Sequence, residues 1–170
     1  MKIKIFNNQG ISILEVIVAI LIITIGMIGV MSLVIQNVEA QYINKNILIA
    51  SGLAQEGLEL ARNTRDLNWL TAGNAWNQDI VGDGTYAIDY RGRSSINLSV
   101  NTINDAGARL YVNSSNLYTH LSVGGTATNF YRLISVADHT SYLDVSCTIR
   151  WKEGSQNHDY TAETYLYDWR

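Results

Sequence analysis

The chain has no proline and a single cysteine among its 170 residues. Without proline, long helices and strands can continue without a fixed break. The lone Cys147 excludes an internal disulfide. Because Cys147 alternates with apolar residues, it is predicted to be a small buried side chain on a strand. Basic residues are also few, and the net charge of −3 indicates that nucleic acid is not the main partner.

Charge is missing altogether from residues 16–35, which read VIVAILIITIGMIGVMSLVI. The hydroxyls of Thr24 and Ser32 are the polar side chains of this stretch. As a helix it would measure about 30 Å, which matches the hydrocarbon core of a bilayer. The sequence therefore predicts a membrane-spanning helix near the N-terminus.

Basic residues flank this segment unevenly. Lys2 and Lys4 precede it, whereas the next basic residue is Lys45. The positive-inside bias therefore places Met1 in the cytoplasm and the remainder of the chain outside. A permanent anchor satisfies this pattern. So does a secretory signal cleaved after Ala40, although the apolar stretch is longer than the usual 7–15 residues of a signal peptide.

A third interpretation rests on the residues just before the apolar stretch. Asn8-Gln9-Gly10 followed by ISILEVIVAILII resembles the class III signal of type IV prepilins and type II secretion pseudopilins. The resemblance implies that a membrane-embedded prepilin peptidase cuts after Gly10 and that Ile11 becomes a methylated N-terminus. Phenylalanine is the common family residue at the position of Ile11. Glu15 then corresponds to the acidic fifth residue of the mature chain.

The resemblance also implies an organisation and a location. Residues 1–10 would be the leader, 11–66 a long helix embedded in the membrane over 11–35, and 67–170 an extracytoplasmic β-rich domain. The protein would be a structural subunit of a type IV pilus-like filament. It would wait in the cytoplasmic membrane, with its N-terminus inside, before entering a cell-surface or periplasmic filament. Its partners would be the lipid bilayer, the membrane assembly platform and other pilin subunits, contacted through the helix.

Glu15 has a physical reason to matter in such a subunit. A carboxylate at the edge of a membrane helix is costly unless a partner compensates its charge. Cleavage after Gly10 would create an ammonium group four residues away, and opposite charges in lipid attract strongly. In the family, this acid is thought to meet the N-terminal amine of a neighbouring subunit. The alternative is that Glu15 lies among lipid headgroups beside Lys4.

Beyond the apolar stretch, a second helical stripe continues the first. Its members follow spacings of three and four residues: Ile43, Ile47, Ala50, Ala54, Gly57 or Leu58, and Ala61. The segment GLAQEGLELARNTRDLNWL, Gly52 to Leu70, resembles minor-pilin, PilV-like prepilins. So does the ending VSCTIRWKEGSQNHDYTAETYLYDWR.

The C-terminal part has the alternation expected of strands. The clearest case is residues 143–152, where every second residue is apolar. Further predicted strands cover 85–90, 96–103, 109–112, 129–137 and 160–169. The sequence thus predicts an α+β, pilin-like fold, in which the outer half of the long helix packs on an antiparallel sheet.

The sequence offers no pattern typical of an enzyme, a metal site or a cofactor site. Three histidines lack metal-ligand spacing and are predicted to lie on surface loops or strand ends. They are His120, His139 and His158. Three aspartates leave calcium binding open, although their spacing differs from that of an EF-hand. They are Asp79, Asp83 and Asp89.

Two other functions remain possible alongside the filament subunit. An unprocessed single-pass membrane protein would keep Met1 and present an outer ligand-binding β domain. A secreted binding domain would begin at Gln41. For a filament, the sequence does not choose among adhesion, motility, DNA uptake and secretion.

Overall fold

The computed structural model describes Gly10, residues 12–80 and residues 82–169. Helix α1 covers Ile13–Leu70, ending at Leu70 rather than at residue 66. The strands follow in the order β1 (Gly84–Tyr86), β2 (Arg109–Val112), β3 (Tyr118–Thr119), β4 (Thr126–His139), β5 (Tyr142–Glu153) and β6 (Gln156–Tyr167). Two short 3₁₀ turns, Gly92–Ser95 and Ala106–Ala108, lie between β1 and β2.

Helix α1 ends where side chains begin to bond to the backbone of the next loop. Asn68 Nδ2 donates to Gln78 O at 2.6 Å and to Trp76 O at 3.1 Å. Thr71 Oγ1 donates to Leu67 O at 2.9 Å, satisfying one of the carbonyls that every helix end leaves free. The loop after α1 is therefore tied to the last turn of the helix.

The described residues divide into two compact units, with the boundary between Asn44 and Lys45. The first unit is helical from Ile13 onward, and its described side chains are exposed, apart from a half-buried Ile43. Large apolar side chains dominate this exposed surface from Ile13 to Val38. Such a surface is stable only in lipid or against other protein.

The second unit buries one stripe of α1 against the sheet. The buried helical residues recur every three or four positions, as a helix with one core-facing side requires: Ala50, Leu53, Ala54, Gly57, Leu58, Ala61, Thr64, Arg65 and Asn68. The predicted stripe is therefore correct from Ala50 onward. Ile47, in contrast, is 40% exposed.

Strands β4, β5 and β6 form an antiparallel meander, and the whole sheet has the order β3-β2-β4-β5-β6, with β1 also paired to β4. One face of β5 is buried against α1, through Leu143, Val145, Cys147, Ile149 and Trp151. This arrangement confirms the predicted α+β, pilin-like layout of one long helix on an antiparallel sheet. It also confirms that Cys147 is a buried core residue.

Gly57 lies where α1 passes close to β4 and β5. A Cβ atom built on Gly57 would lie 2.5 Å from Cys147 Sγ and 3.2 Å from Arg132 Cδ. Any side chain here would push the helix away from β4 and β5. Close packing against Cys147 and Arg132 thus explains why a glycine lies in the middle of the helix.

The prediction of a strand over 96–103 is wrong. The structure has one isolated bridge there, Ala87 to Asn97, followed by turns. Short polar side chains take the backbone donors: Asp105 Oδ2 accepts from the N–H groups of Asn101 and Thr102 at 2.7 and 2.9 Å. Val100 is nevertheless buried, in a small cluster with Ala87, Ala108 and Leu133 on the other face of the sheet.

Candidate functional site

The predicted processing and assembly residues lie at the start of α1. Ser12 O accepts hydrogen bonds from the backbone N–H groups of Glu15 at 3.0 Å and Val16 at 3.2 Å, which forms the first turn. Glu15 is exposed in that turn, where the positive end of the helix dipole favours a carboxylate. Gly10 is exposed as well, with no heavy atom within 4 Å of a Cβ built on it. Ile11 lies outside the described residues.

The apolar part of α1 satisfies its own polar side chains. Thr24 Oγ1 donates to Leu21 O at 2.8 Å, and Gln36 Nε2 donates to Ser32 Oγ at 3.2 Å. Since hydrocarbon offers no hydrogen-bond partners, this internal bonding suits a nonpolar environment. By length and composition, the helix can cross a membrane. A signal sequence near an N-terminus would meet the same two criteria.

A buried ionic contact links α1 to the sheet in the second unit. The Arg132 side chain is fully buried and donates to Ile88 O at 2.8 Å and to Leu53 O at 3.3 Å. Its guanidinium also lies 3.3 Å from a carboxylate oxygen of Glu56, which is 36% exposed. Arg132 thus joins the helix, β4 and the segment after β1 at one point.

The sequence interpretation missed Arg132. A signal for it existed, because this charged residue occupies the inward-facing register of β4, between Phe130 and Ile134. A charge in such a position requires a buried partner. The partner Glu56 lies in the helical segment, where only the three-dimensional structure brings it close.

A second polar network surrounds Asp89, whose side chain is fully buried. Arg91 Nη2 donates to it at 2.9 Å, Thr119 Oγ1 at 2.6 Å and the His120 backbone N–H at 3.3 Å. Burial opposes the charged form, but these hydrogen bonds prevail and hold the pKa of Asp89 far below its usual range. Asp89 therefore fixes the loop after β1 to β3 as a carboxylate.

The three aspartates considered for calcium do not converge. Asp79 pairs with Arg93, and Asp83 accepts from the backbone N–H of Asp138 at 2.9 Å. Asp89 accepts hydrogen bonds from Arg91 and Thr119. Within residues 12–80 and 82–169, no group of three or more histidine, cysteine or acidic side chains is placed to hold a metal ion.

The histidines are dispersed over the second unit. His139 and His158 lie on β4 and β6, where they stack on Tyr142 and Trp151. His120 directly follows the end of β3, as predicted for a strand end; it is half-buried, and its Nδ1 lies 3.2 Å from Arg109 O. The neutral ring donates to that carbonyl when its proton is on Nδ1.

Acidification should destabilise the second unit through His120. Burial, and secondarily the charge of Arg132, lowers the pKa of His120 to about 4. The unfolded chain takes up this proton near its ordinary pKa of about 6.5, so stability should fall as pH drops through that window. We expect a loss of about 2 kcal/mol between about pH 7 and about pH 4.5 in chemical denaturation.

The variant His120→Gln should flatten this pH dependence while keeping a donor toward Arg109 O. His139→Gln, which changes an exposed ring, serves as the matched control and should leave the slope unchanged. An unaltered slope in His120→Gln would assign the acid sensitivity to other groups.

Comparison of the chain with family models, with curated proteins and with solved structures gives no match.

Proposed function

We propose that this protein is a structural subunit, of the minor-pilin or pseudopilin kind, of a type IV pilus-like filament. It is inserted in the membrane before assembly and processed by a prepilin peptidase after Gly10. The observation that carries the proposal is the exposed apolar surface of α1 from Ile13 to Val38, with the single carboxylate Glu15 at its start. A binding module dissolved in water would not expose an apolar surface of this length.

The second unit supports the same proposal by being complete without the first. Its core is closed by α1 residues from Ala50 onward and by strands β1, β2, β4, β5 and β6. The exposed segment of α1 therefore contributes little to that core and is available to partners. Lipid would cover it before assembly, and helices of neighbouring subunits would cover it in the filament.

Glu15 has the chemistry to set the register between subunits. Removal of Met1–Gly10 also removes Lys2 and Lys4, which leaves ten basic residues against fifteen acids, a net charge of −5. The new amine at Ile11 would be a cation at the cytoplasmic edge of the apolar surface. A neighbouring subunit's Glu15 would pair with it most strongly at one axial position, because both charges are poorly solvated there.

The mass and N-terminal residue of the protein from membranes of its native host test the processing step. We expect a chain that starts at an N-methylated Ile11. A Met1 start would instead indicate the runner-up function, a permanent anchor with an outer ligand-binding domain. A Gln41 start would indicate a secreted domain; that site lies close to the boundary between the two units at Asn44.

Glu15→Ala should leave cleavage largely intact and reduce incorporation into filaments by at least about tenfold, the effect of losing one charge pair in lipid. Incorporation is measured as the ratio of sheared filament material to membrane-retained subunit. Glu39→Ala removes an exposed carboxylate further along α1 and is the control. Wild-type incorporation of the Glu15 variant would refute the assembly role.

A further inference from the structure

Three tyrosines gather at one end of the sheet face that is turned away from α1. The ring centroid of Tyr142, on β5, lies 5.6 Å from that of Tyr165 and 5.4 Å from that of Tyr167, both on β6. Tyr165 is 54% exposed and Tyr167 is 49% exposed. Their neighbours in the strands, Leu143 and Leu166, point to the core and are buried. We call Tyr142, Tyr165 and Tyr167 the tyrosine surface.

Two carboxylates border the tyrosine surface on the same face. Asp144 lies directly opposite Tyr165 in the β5–β6 pairing, and Glu163 precedes Tyr165 by two residues. Neither carboxylate has an ion-pair partner among the described residues. Further along the face, in contrast, Asp159 pairs with Arg150 at 2.5 Å. The negative charge beside the tyrosines is therefore uncompensated.

A shallow cavity of about 160 Å³ lies over β4, β5 and β6 beside the tyrosines, and both carboxylates line it. Ser135, Ala137 and Ser146 line it together with Asp144 and Glu163. Because these intervening side chains are small, the space stays open, and their hydroxyls add hydrogen-bond acceptors. The site thus combines the exposed rings of Tyr165 and Tyr167, acidic groups and room for a narrow side chain.

We propose that the tyrosine surface, with Asp144 and Glu163, binds lysine or arginine side chains of a basic segment of a partner protein. The faces of aromatic rings attract cations, and nearby carboxylates add to that attraction. Complementary charge selects this occupant, since an anionic partner would be repelled and a neutral one would leave both carboxylates unpaired. Such binding is separate from filament assembly and would serve an unprocessed membrane anchor equally well.

Titration of the full chain in neutral detergent micelles with hexalysine tests the proposal by calorimetry. Hexalysine should bind saturably and more weakly as salt rises, whereas hexaglutamate should not bind. Glu163→Gln and Tyr165→Leu should each weaken binding about three- to tenfold. Tyr165→Phe, which keeps the ring, should retain the wild-type affinity.

Two matched variants separate this site from general charge effects. Glu39→Gln removes one negative charge in α1, and Tyr90→Leu removes a tyrosine of similar exposure, 44%, on the domain. Both should bind hexalysine within about twofold of wild type. Absence of saturable binding, or equal weakening in these controls, would overturn the proposal. Circular dichroism and the unfolding midpoint verify that each variant is folded. If Tyr165→Leu does not fold, the affinity of Glu163→Gln decides the test.

Discussion

Gly10→Leu should leave the protein uncleaved, with Met1 still present, and should lower the mature fraction by about tenfold or more. A peptidase that accepts glycine at this position has to bring the backbone close, and a branched side chain would block that approach. The effect would report on processing alone, because Gly10 is exposed and a Cβ there would meet no heavy atom within 4 Å.

Intact mass spectrometry of the membrane fraction measures this outcome directly. Gly29→Leu is the matched control, since Gly29 also has nothing within 4 Å of an added Cβ but lies inside α1, past the cleavage site. It should be processed normally. Wild-type amounts of a chain starting at Ile11 in the Gly10 variant would refute the proposed cleavage site.

Arg132→Met should cost about 2–4 kcal/mol of the free energy of unfolding of the second unit, mainly because the carbonyl oxygens of Ile88 and Leu53 lose a donor. Methionine fills much of the same volume, but it leaves Ile88 O without its 2.8 Å donor and Glu56 without its cation. Unpaired acceptors at a buried site cost more than a hydrogen bond normally contributes. Urea denaturation, followed through the change in tryptophan fluorescence, gives the value.

The partner variant Glu56→Gln should cost less, about 1 kcal/mol, because the glutamine amide oxygen can still accept from Arg132, which also keeps its bonds to Ile88 O and Leu53 O. The double variant then gives the coupling energy of the pair. A loss below about 1 kcal/mol for Arg132→Met would mean that the buried guanidinium contributes little beyond its packing volume.

The regular parts of the fold were predictable because single local patterns govern them. Lack of proline and an unbroken apolar run were sufficient for a long helix, and α1 covers Ile13–Leu70. Strict alternation over residues 143–152 was sufficient for β5, which covers Tyr142–Glu153. In each segment one local pattern holds over many consecutive residues, so the pattern alone predicts the element.

The irregular parts were not predictable from periodicity, because side chains there compete with strand pairing for the backbone hydrogen-bond donors. Residues 96–103 alternate like a strand, but Asp105 binds the backbone N–H groups of Asn101 and Thr102. Side chains of this kind offer the backbone an alternative to a sheet ladder. Val100 is still buried, because the loop that carries it packs on Leu133.

The candidate site divides in the same way. The Gly10–Ile11–Glu15 motif and the apolar helix are properties of consecutive residues, so the sequence by itself determined them, together with the α+β class. Only the tertiary structure decided that Arg132 meets Glu56, that His120 packs against Arg109, and that Tyr142, Tyr165, Asp144 and Glu163 share one face of the sheet. The physical reason is that charge, burial and pKa depend on neighbours brought together from distant parts of the chain.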